Sequence, residues 1–257
     1  GVCVMRKRMM LTVAYDGTNY HGWQIQPNGI TIESELNGAL STLFGEPIKV
    51  SGASRTDTGV HSLGNLAVFD VDTRMPAEKI SYALNQRLPA DIRIQASREV
   101  PLDFHPRHCN SRKTYRYQIL NSEFPLPTLR LYSYFVYTPL NIVHMQCAAA
   151  YLIGEHDFQS FCSADSTAET TVRTIYHICV EQKENVISIV VTGSGFLYNM
   201  VRIIAGTLIE IGKGRREPDE MTTILEACSR KAAGPTAPAC GLTLLGIYLE
   251  PEPAALV

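Results

Sequence analysis

Between Met10 and Ser97 the chain changes hydrophobic period repeatedly, and that alternation limits the fold more than any other feature of the sequence. Met10 to Tyr15 alternates weakly and ends at Asp16-Gly17, the pattern of a strand entering a turn. Thr31 offers an N-cap, and Ile32, Leu36, Leu40 and Leu43 then share one face of a helix that stops at Gly45, ahead of Pro47. Ile48-Lys49-Val50 and Asn65 to Val71 return to an apolar, β-branched content that predicts strands. Pro76 fits the first position of a second helix carrying Ile80, Ala83, Leu84 and Leu88, and Asp91 to Ser97 reads as another strand. The order strand, helix, strand, loop, strand, helix, strand predicts an α+β half whose helices cover one face of a sheet.

The second half has the same ingredients. Lys113 to Ile119 alternates so that Tyr115, Tyr117 and Ile119 share one strand face, with Thr114, Arg116 and Gln118 on the other. Asn141 can cap a helix through Ile142, Met145, Ala149 and Leu152, ended by Gly154. Arg173 to Val180 and Val186 to Thr192 read as a strand pair. A helix opening at Gly195 to Arg202 is apolar nearly all round and should be buried. Arg202 inside it is an exposed-end residue, a dimer contact or a charge paired with a buried carboxylate; the last is preferred, because an unpaired buried guanidinium is very costly. Pro218 and Asp219 open a last helix, and Leu242 to Leu249 is the closing strand. The expected organisation is one half over residues 10–108, a second over 109–250, and tails at 1–9 and 251–257. Met5, Met9 and Met10 are equivalent candidates for the start within the short basic lead-in.

Two stretches are too polar and irregular to be structural repeats. The connection 51–64 is too long for a hairpin turn and holds Arg55, Asp57 and His61 among three glycines. A cation two residues before a carboxylate favours its ionised form, and an ionised carboxylate on a strand-supported loop is a candidate nucleophile. The alternative is a solvated turn in which Asp57 bonds backbone amides. The second stretch, Ser163 to Thr171, has no periodicity and reads as a mobile loop. Gly193-Ser194-Gly195 lacks the third glycine and the βαβ context of a dinucleotide site.

Several segments, in order, resemble the TruA family of tRNA pseudouridine synthases. Arg55-Thr56-Asp57-Thr58-Gly59-Val60-His61 is similar to its active-site loop G-R-T-D-A-G-V-H, with Ser54 and Thr58 standing where the family has Gly and Ala. Asp16-Gly17 through Gly22-Trp23-Gln24 resembles its Y-D-G…Y-x-G-W-Q segment, in which Trp23 is expected to be a core anchor. Lys113 to Tyr117 matches R-x-Y-R-Y, and Phe196 to Leu208 matches F-x-x-x-M-V-R-x-I-x-G-x-L. The likeness runs from Met10 to Glu250.

The resemblance implies a long, mixed, mostly antiparallel sheet flanked by helices, built of two ferredoxin-like halves with a central cleft. It implies an isomerase that turns uridine into pseudouridine in the anticodon stem-loop of tRNA (positions 38–40), as a cytoplasmic homodimer without cofactor or metal. Asp57 would be the nucleophile and Arg55 would fill the space of the flipped base. Tyr115 would pack on the uracil, and Arg202 would pair with Asp57. Phe104, His105, Arg107 and His108 would contact RNA, in a segment that matches the family's D-F-H-A-R loop. A related enzyme with another RNA target, an RNA-binding module without chemistry, and a metal hydrolase using Asp57, His61, His105 and His108 are the alternatives.

Composition sets limits on these readings. The formal net charge of -2 means that any field holding RNA must be local. Seven scattered cysteines without a C-x-x-C pair argue for a reducing compartment and against a zinc knuckle or disulfide framework. Pro106 between His105 and His108 denies that pair the helical spacing a metal site would use. No apolar run is long enough to span a bilayer.

Overall fold

A computed structural model describes residues 5–254; the first part of the basic lead-in and the end of the Ala-rich tail lie outside the described residues. Among those described, the chain is α+β, with ten strands and five α-helices in two compact units. One unit runs to Ser111 and takes back the chain from Leu244 on; the other is Arg112–Thr243. The closing strand therefore returns to the first unit, where the sequence pattern had grouped it with the second half.

In the first unit, β1 (Arg6–Tyr15) lies between β4 (Ile92–Val100) and β3 (His61–Asp72), antiparallel to both, and β10 (Leu242–Leu249) follows β3. Alternation sorts the two faces. Met9, Leu11, Val13, Ala67, Phe69 and Val71 turn toward α1 (Ile32–Phe44) and α2 (Ala77–Asn85), whose Ile32, Leu36, Leu40, Ile80 and Leu84 are fully buried against them. Met10, Leu66 and Val68 face the other way and gather with Val100 and Leu249 in a smaller cluster that Phe104 and Cys109 partly cover. Thr31 caps α1 through the Ser34 amide and Gly45 ends it at φ 69°, as the sequence indicates. Pro76 is the N-cap of α2 and not its first helical residue.

Ile48-Lys49-Val50 is not a strand. Its amides are taken by side chains of α1: Ile48 N–H donates to Ser41 Oγ at 2.9 Å and Val50 N–H to Asn37 Oδ1 at 2.9 Å. The two apolar residues are buried against that helix, which satisfies the same hydrophobic pattern without a ladder. Pairing begins only at β2 (Ser51–Gly52), opposite Val68 and Ala67. β3 starts at His61, so the irregular connection shrinks to residues 53–60.

In the second unit the order is β5 (Ser111–Asn121), β9 (Val186–Gly193), β8 (Val172–Lys183), β7 (Gly154–Asp157), all antiparallel. The short β6 (Tyr134–Val136) runs parallel to β5. α3 (Ile142–Ala150) ends before Gly154 because i→i+3 bonds tighten residues 151–153 into a turn; Gly154, at φ 104°, instead opens β7. α4 (Met200–Gly212) begins five residues later than Gly195, since Asn199 sits at φ 60° and cannot continue a helix backward. Every α4 residue except Arg202 and Glu210 is buried. α5 (Glu220–Ala227) carries the buried Met221, Ile224 and Leu225.

Candidate active site

Segment 53–60 leaves and rejoins the sheet between β2 and β3, and polar side chains of neighbouring elements hold its backbone. Asn65 of β3, fully buried, accepts the Ser54 amide at 3.2 Å and donates to the Ser54 carbonyl at 2.8 Å. The same amide nitrogen of Asn65 reaches Tyr15 Oη at 3.3 Å, and Tyr15 Oη bonds Thr56 Oγ1 at 2.6 Å. The Trp23 amide donates to the Thr56 carbonyl at 3.0 Å, and the Val60 amide to the Asp57 carbonyl at 3.1 Å. Ser54 and Thr56 are buried polar residues, and these bonds are what makes their burial tolerable. Asp57 is half-buried, while Arg55 stands exposed with no hydrogen bond or ion pair among the described residues.

Two glycines let the preceding turn close on this segment. A Cβ on Gly17 would lie 2.0 Å from the Val60 carbonyl oxygen, and one on Gly22 would lie 2.7 Å from that of Thr56. Gly22 also sits at φ 78°, the left-handed region that favours glycine. Gly52 makes room for Trp23 in the same way, since its Cβ would meet the indole ring at 2.5 Å. Trp23 is a core anchor as expected from the sequence, at 2% exposure. Tyr15, Gly17, Gly22 and Asn65, by contrast, are members of the site that sequence reasoning missed. The signal for Asn65 was a lone amide at the start of the apolar run Leu66-Ala67-Val68-Phe69.

His61 is buried, and its Nδ1 accepts the Gly17 amide at 3.0 Å. The Asp16 carboxylate lies 3.2 Å from the same nitrogen. Nδ1 cannot both accept from the Gly17 amide and donate to Asp16, whose Oδ1 also accepts from the Thr18 amide and hydroxyl. His61 is thus a strut between the turn and the loop.

In the same unit, Phe104 to His108 form a tight turn. The Phe104 carbonyl accepts from Arg8 at 2.7 Å, and its ring packs against the smaller apolar cluster. His105 and His108 stack at 4.2 Å between ring centroids, and His105 Nδ1 accepts the Arg107 amide. Burial, with the charges of His108, Arg107 and Arg8, pushes His105 below the usual histidine value. The exposed Arg107 is pushed down first by partial burial and then by Arg55, so the two guanidinium groups feel one another. Among the described residues no three His, Cys, Asp or Glu side chains converge on a possible metal position.

The second unit holds the other two candidates. Tyr115 and Tyr117 both point into the buried face of β5, but their surroundings differ. Tyr117 is fully buried with its hydroxyl on the Pro238 carbonyl at 2.7 Å, and burial drives its pKa far up. Tyr115 keeps 7% exposure and meets the Phe196 ring edge-on at 5.2 Å. Arg202 is fixed by Nε to the Ala237 carbonyl at 2.8 Å and by one terminal nitrogen to Asn199 Oδ1 at 3.0 Å. Gly206 allows that close packing, since a Cβ there would overlap the Pro235 carbonyl.

The chain matches the family described as tRNA pseudouridine synthase over residues 11–108 and 148–248. A Ruminiclostridium cellulolyticum protein named tRNA pseudouridine synthase A is 50% identical over 243 residues, covering 94% of this chain and 99% of that one. Proteins of the same name from Acetivibrio thermocellus and Thermoanaerobacter sp. (strain X514) are 48% and 47% identical, again over 94% of this chain and 99% of theirs.

Proposed function

The chain belongs to the tRNA pseudouridine synthase family and is an isomerase of tRNA uridines; from that premise we propose that its targets lie in the anticodon stem-loop and that Asp57 is its nucleophile. The observation carrying the second point is the way segment 53–60 is held. Buried hydrogen bonds fix the backbone at Ser54 and Thr56, on the approach to Asp57, and Asp57 itself is only half-buried. A nucleophile that is already in position avoids the cost of ordering it during reaction.

The isomerisation breaks the N1–C1′ bond of uridine and forms a C5–C1′ bond; C5 gives up its proton at the end and N1 takes one up, so the formula is unchanged. Nothing is oxidised or reduced, so the scheme calls for no cofactor. Asp57 forms the transient covalent bond, at C6 of the uracil or at C1′ of the ribose. Arg55, an exposed cation with no committed partner among the described residues, occupies the space of the extruded base. Tyr115 packs on the flipped uracil, a role supported by its residual exposure beside the fully buried Tyr117. The family motif through Met200-Val201-Arg202 supports Arg202 as the cation that keeps Asp57 ionised.

Phe104, His105, Arg107 and His108 contact the RNA beside the target, and the resemblance supports a homodimer acting in the cytoplasm, where tRNA is. No helix among the described residues is long and apolar enough to cross a membrane. The test is to incubate the purified protein with unmodified tRNA transcripts and map pseudouridine at single-nucleotide resolution. Conversion confined to the anticodon stem-loop is expected, without added nucleotide. Pseudouridine elsewhere overturns the target, and none at all overturns the reading.

A further inference from the structure

We propose that a groove at the beginning of β1 and β2 is a second RNA contact, a seat for a backbone phosphate of the bound tRNA a few nucleotides from the target uridine. This rests on the tRNA reading above and adds a subsite to it. The groove encloses about 210 Å³ and is lined by Arg6, Arg8, Lys49, Ser51, Asp70 and His105, among others. Three of these side chains are cationic and one is anionic.

The anion does not cancel the site. Asp70 is held by Arg8 in a bidentate pair, 2.7 Å to Nε and 2.8 Å to a terminal nitrogen, and that pairing keeps its carboxyl below the usual range. Arg8 is committed to Asp70 and to the Phe104 carbonyl, and so forms a wall. Lys49 is exposed and has no hydrogen bond or ion pair among the described residues. Arg6 meets Glu46 at 3.7 Å and Asp72 at 3.6 Å, long and half-exposed contacts of the kind that contribute little to stability. Such pairs exchange readily for a phosphate, which a guanidinium binds through two parallel N–H groups. Ser51 adds a hydroxyl donor.

Position then selects a polyanion over a lone ion. Ser51 lines the groove and Arg55 follows four residues later, at most about 14 Å away along an extended chain. His105 lines it too, and Arg107, two residues on, feels the charge of Arg55. A row of cations thus leads from the proposed catalytic loop through Arg107 to Lys49 and Arg6. Like charges held close with only long, half-exposed carboxylate contacts are unfavourable until an anion that can touch several of them arrives. In a chain of net charge -2, such a row is the local field that RNA binding needs.

The test compares Arg6→Gln/Lys49→Gln with wild type in tRNA binding across salt concentration, and with Lys79→Gln/Arg87→Gln, the α2 variant, which removes equal charge from exposed positions on α2 and just past its C-terminal end. The groove variant should bind tRNA several-fold more weakly, with a log–log salt slope shallower by about one unit. The α2 variant should keep the wild-type slope, and pseudouridine formation at saturating tRNA should persist in both. Lys49→Gln alone, at an exposed side chain without a partner among the described residues, keeps the proposal testable if the double variant melts early; it should lose part of the same slope. An unchanged slope, or an equal loss in the α2 variant, overturns the groove. Loss of inorganic phosphate binding without loss of tRNA binding would make it a small-anion site and likewise overturn it. A wild-type protein that bound tRNA with this slope but made no pseudouridine would count against the function and not against the groove.

Discussion

Segments 53–60 and 163–171 look alike in the sequence, both polar and aperiodic, yet they are built in opposite ways. In the first, Ala53, Ser54, Thr56 and Val60 are buried, and its polar groups bond to Asn65, Tyr15 and Trp23 from other elements. In the second, residues 164, 165 and 167–170 are exposed; Ser166 and Ala168 bond only within the segment, and the bonds that tie it to other elements sit at its ends: Ser163 with Tyr198 and Asn199, Thr171 with Asp157. The difference teaches where chemistry can be placed. A segment whose backbone is fixed by buried partners can aim a side chain, whereas one anchored only at its ends can adapt to a large ligand.

The largest effect should come from Asp57→Asn. It keeps the volume and the backbone bonds but removes the nucleophile, so single-turnover pseudouridine formation should vanish while tRNA affinity stays within a few-fold. Retained turnover would move the chemistry off this loop. Next is Asn65→Ala, which leaves the buried Ser54 amide and carbonyl without their partner. Unfolding free energy should fall by about 3 kcal/mol, read by denaturant melts, with turnover reduced as the loop loosens. Gly22→Ala should cost about 1–3 kcal/mol through its positive φ and displace Thr56, lowering turnover more than affinity. Smallest is Asp165→Ala/Thr167→Ala, expected to change stability by less than about 0.5 kcal/mol. A large destabilisation there would erase the contrast between the two segments.

Most of the element order was legible because the apolar periods are strong. α1 has its cap, stripe and terminating glycine in plain view, and Leu242 to Leu249 matches the closing strand at both ends. Ile48 to Val50 was misread because burial against a helix and burial in a sheet produce the same short apolar run, and only the hydrogen-bond partners Ser41 and Asn37 distinguish them. At the site, Arg55 and Asp57 stood out by chemistry. Their supports did not: Gly17 and Gly22 read as ordinary turn glycines until a Cβ is placed against Val60 and Thr56, and Tyr15 reads as the end of a strand. Close approach between segments distant in the chain leaves no periodic trace.

The central claim is that loop 53–60 is formed before substrate arrives, and amide hydrogen exchange on the free protein tests it directly. The amides of Ala53, Ser54 and Val60, bonded to Leu66, Asn65 and Asp57, should exchange as slowly as those of β3, while residues 164–170 exchange near the rate of an unstructured chain. Fast exchange at Ala53, Ser54 and Val60, equal to that of 164–170, would contradict the account.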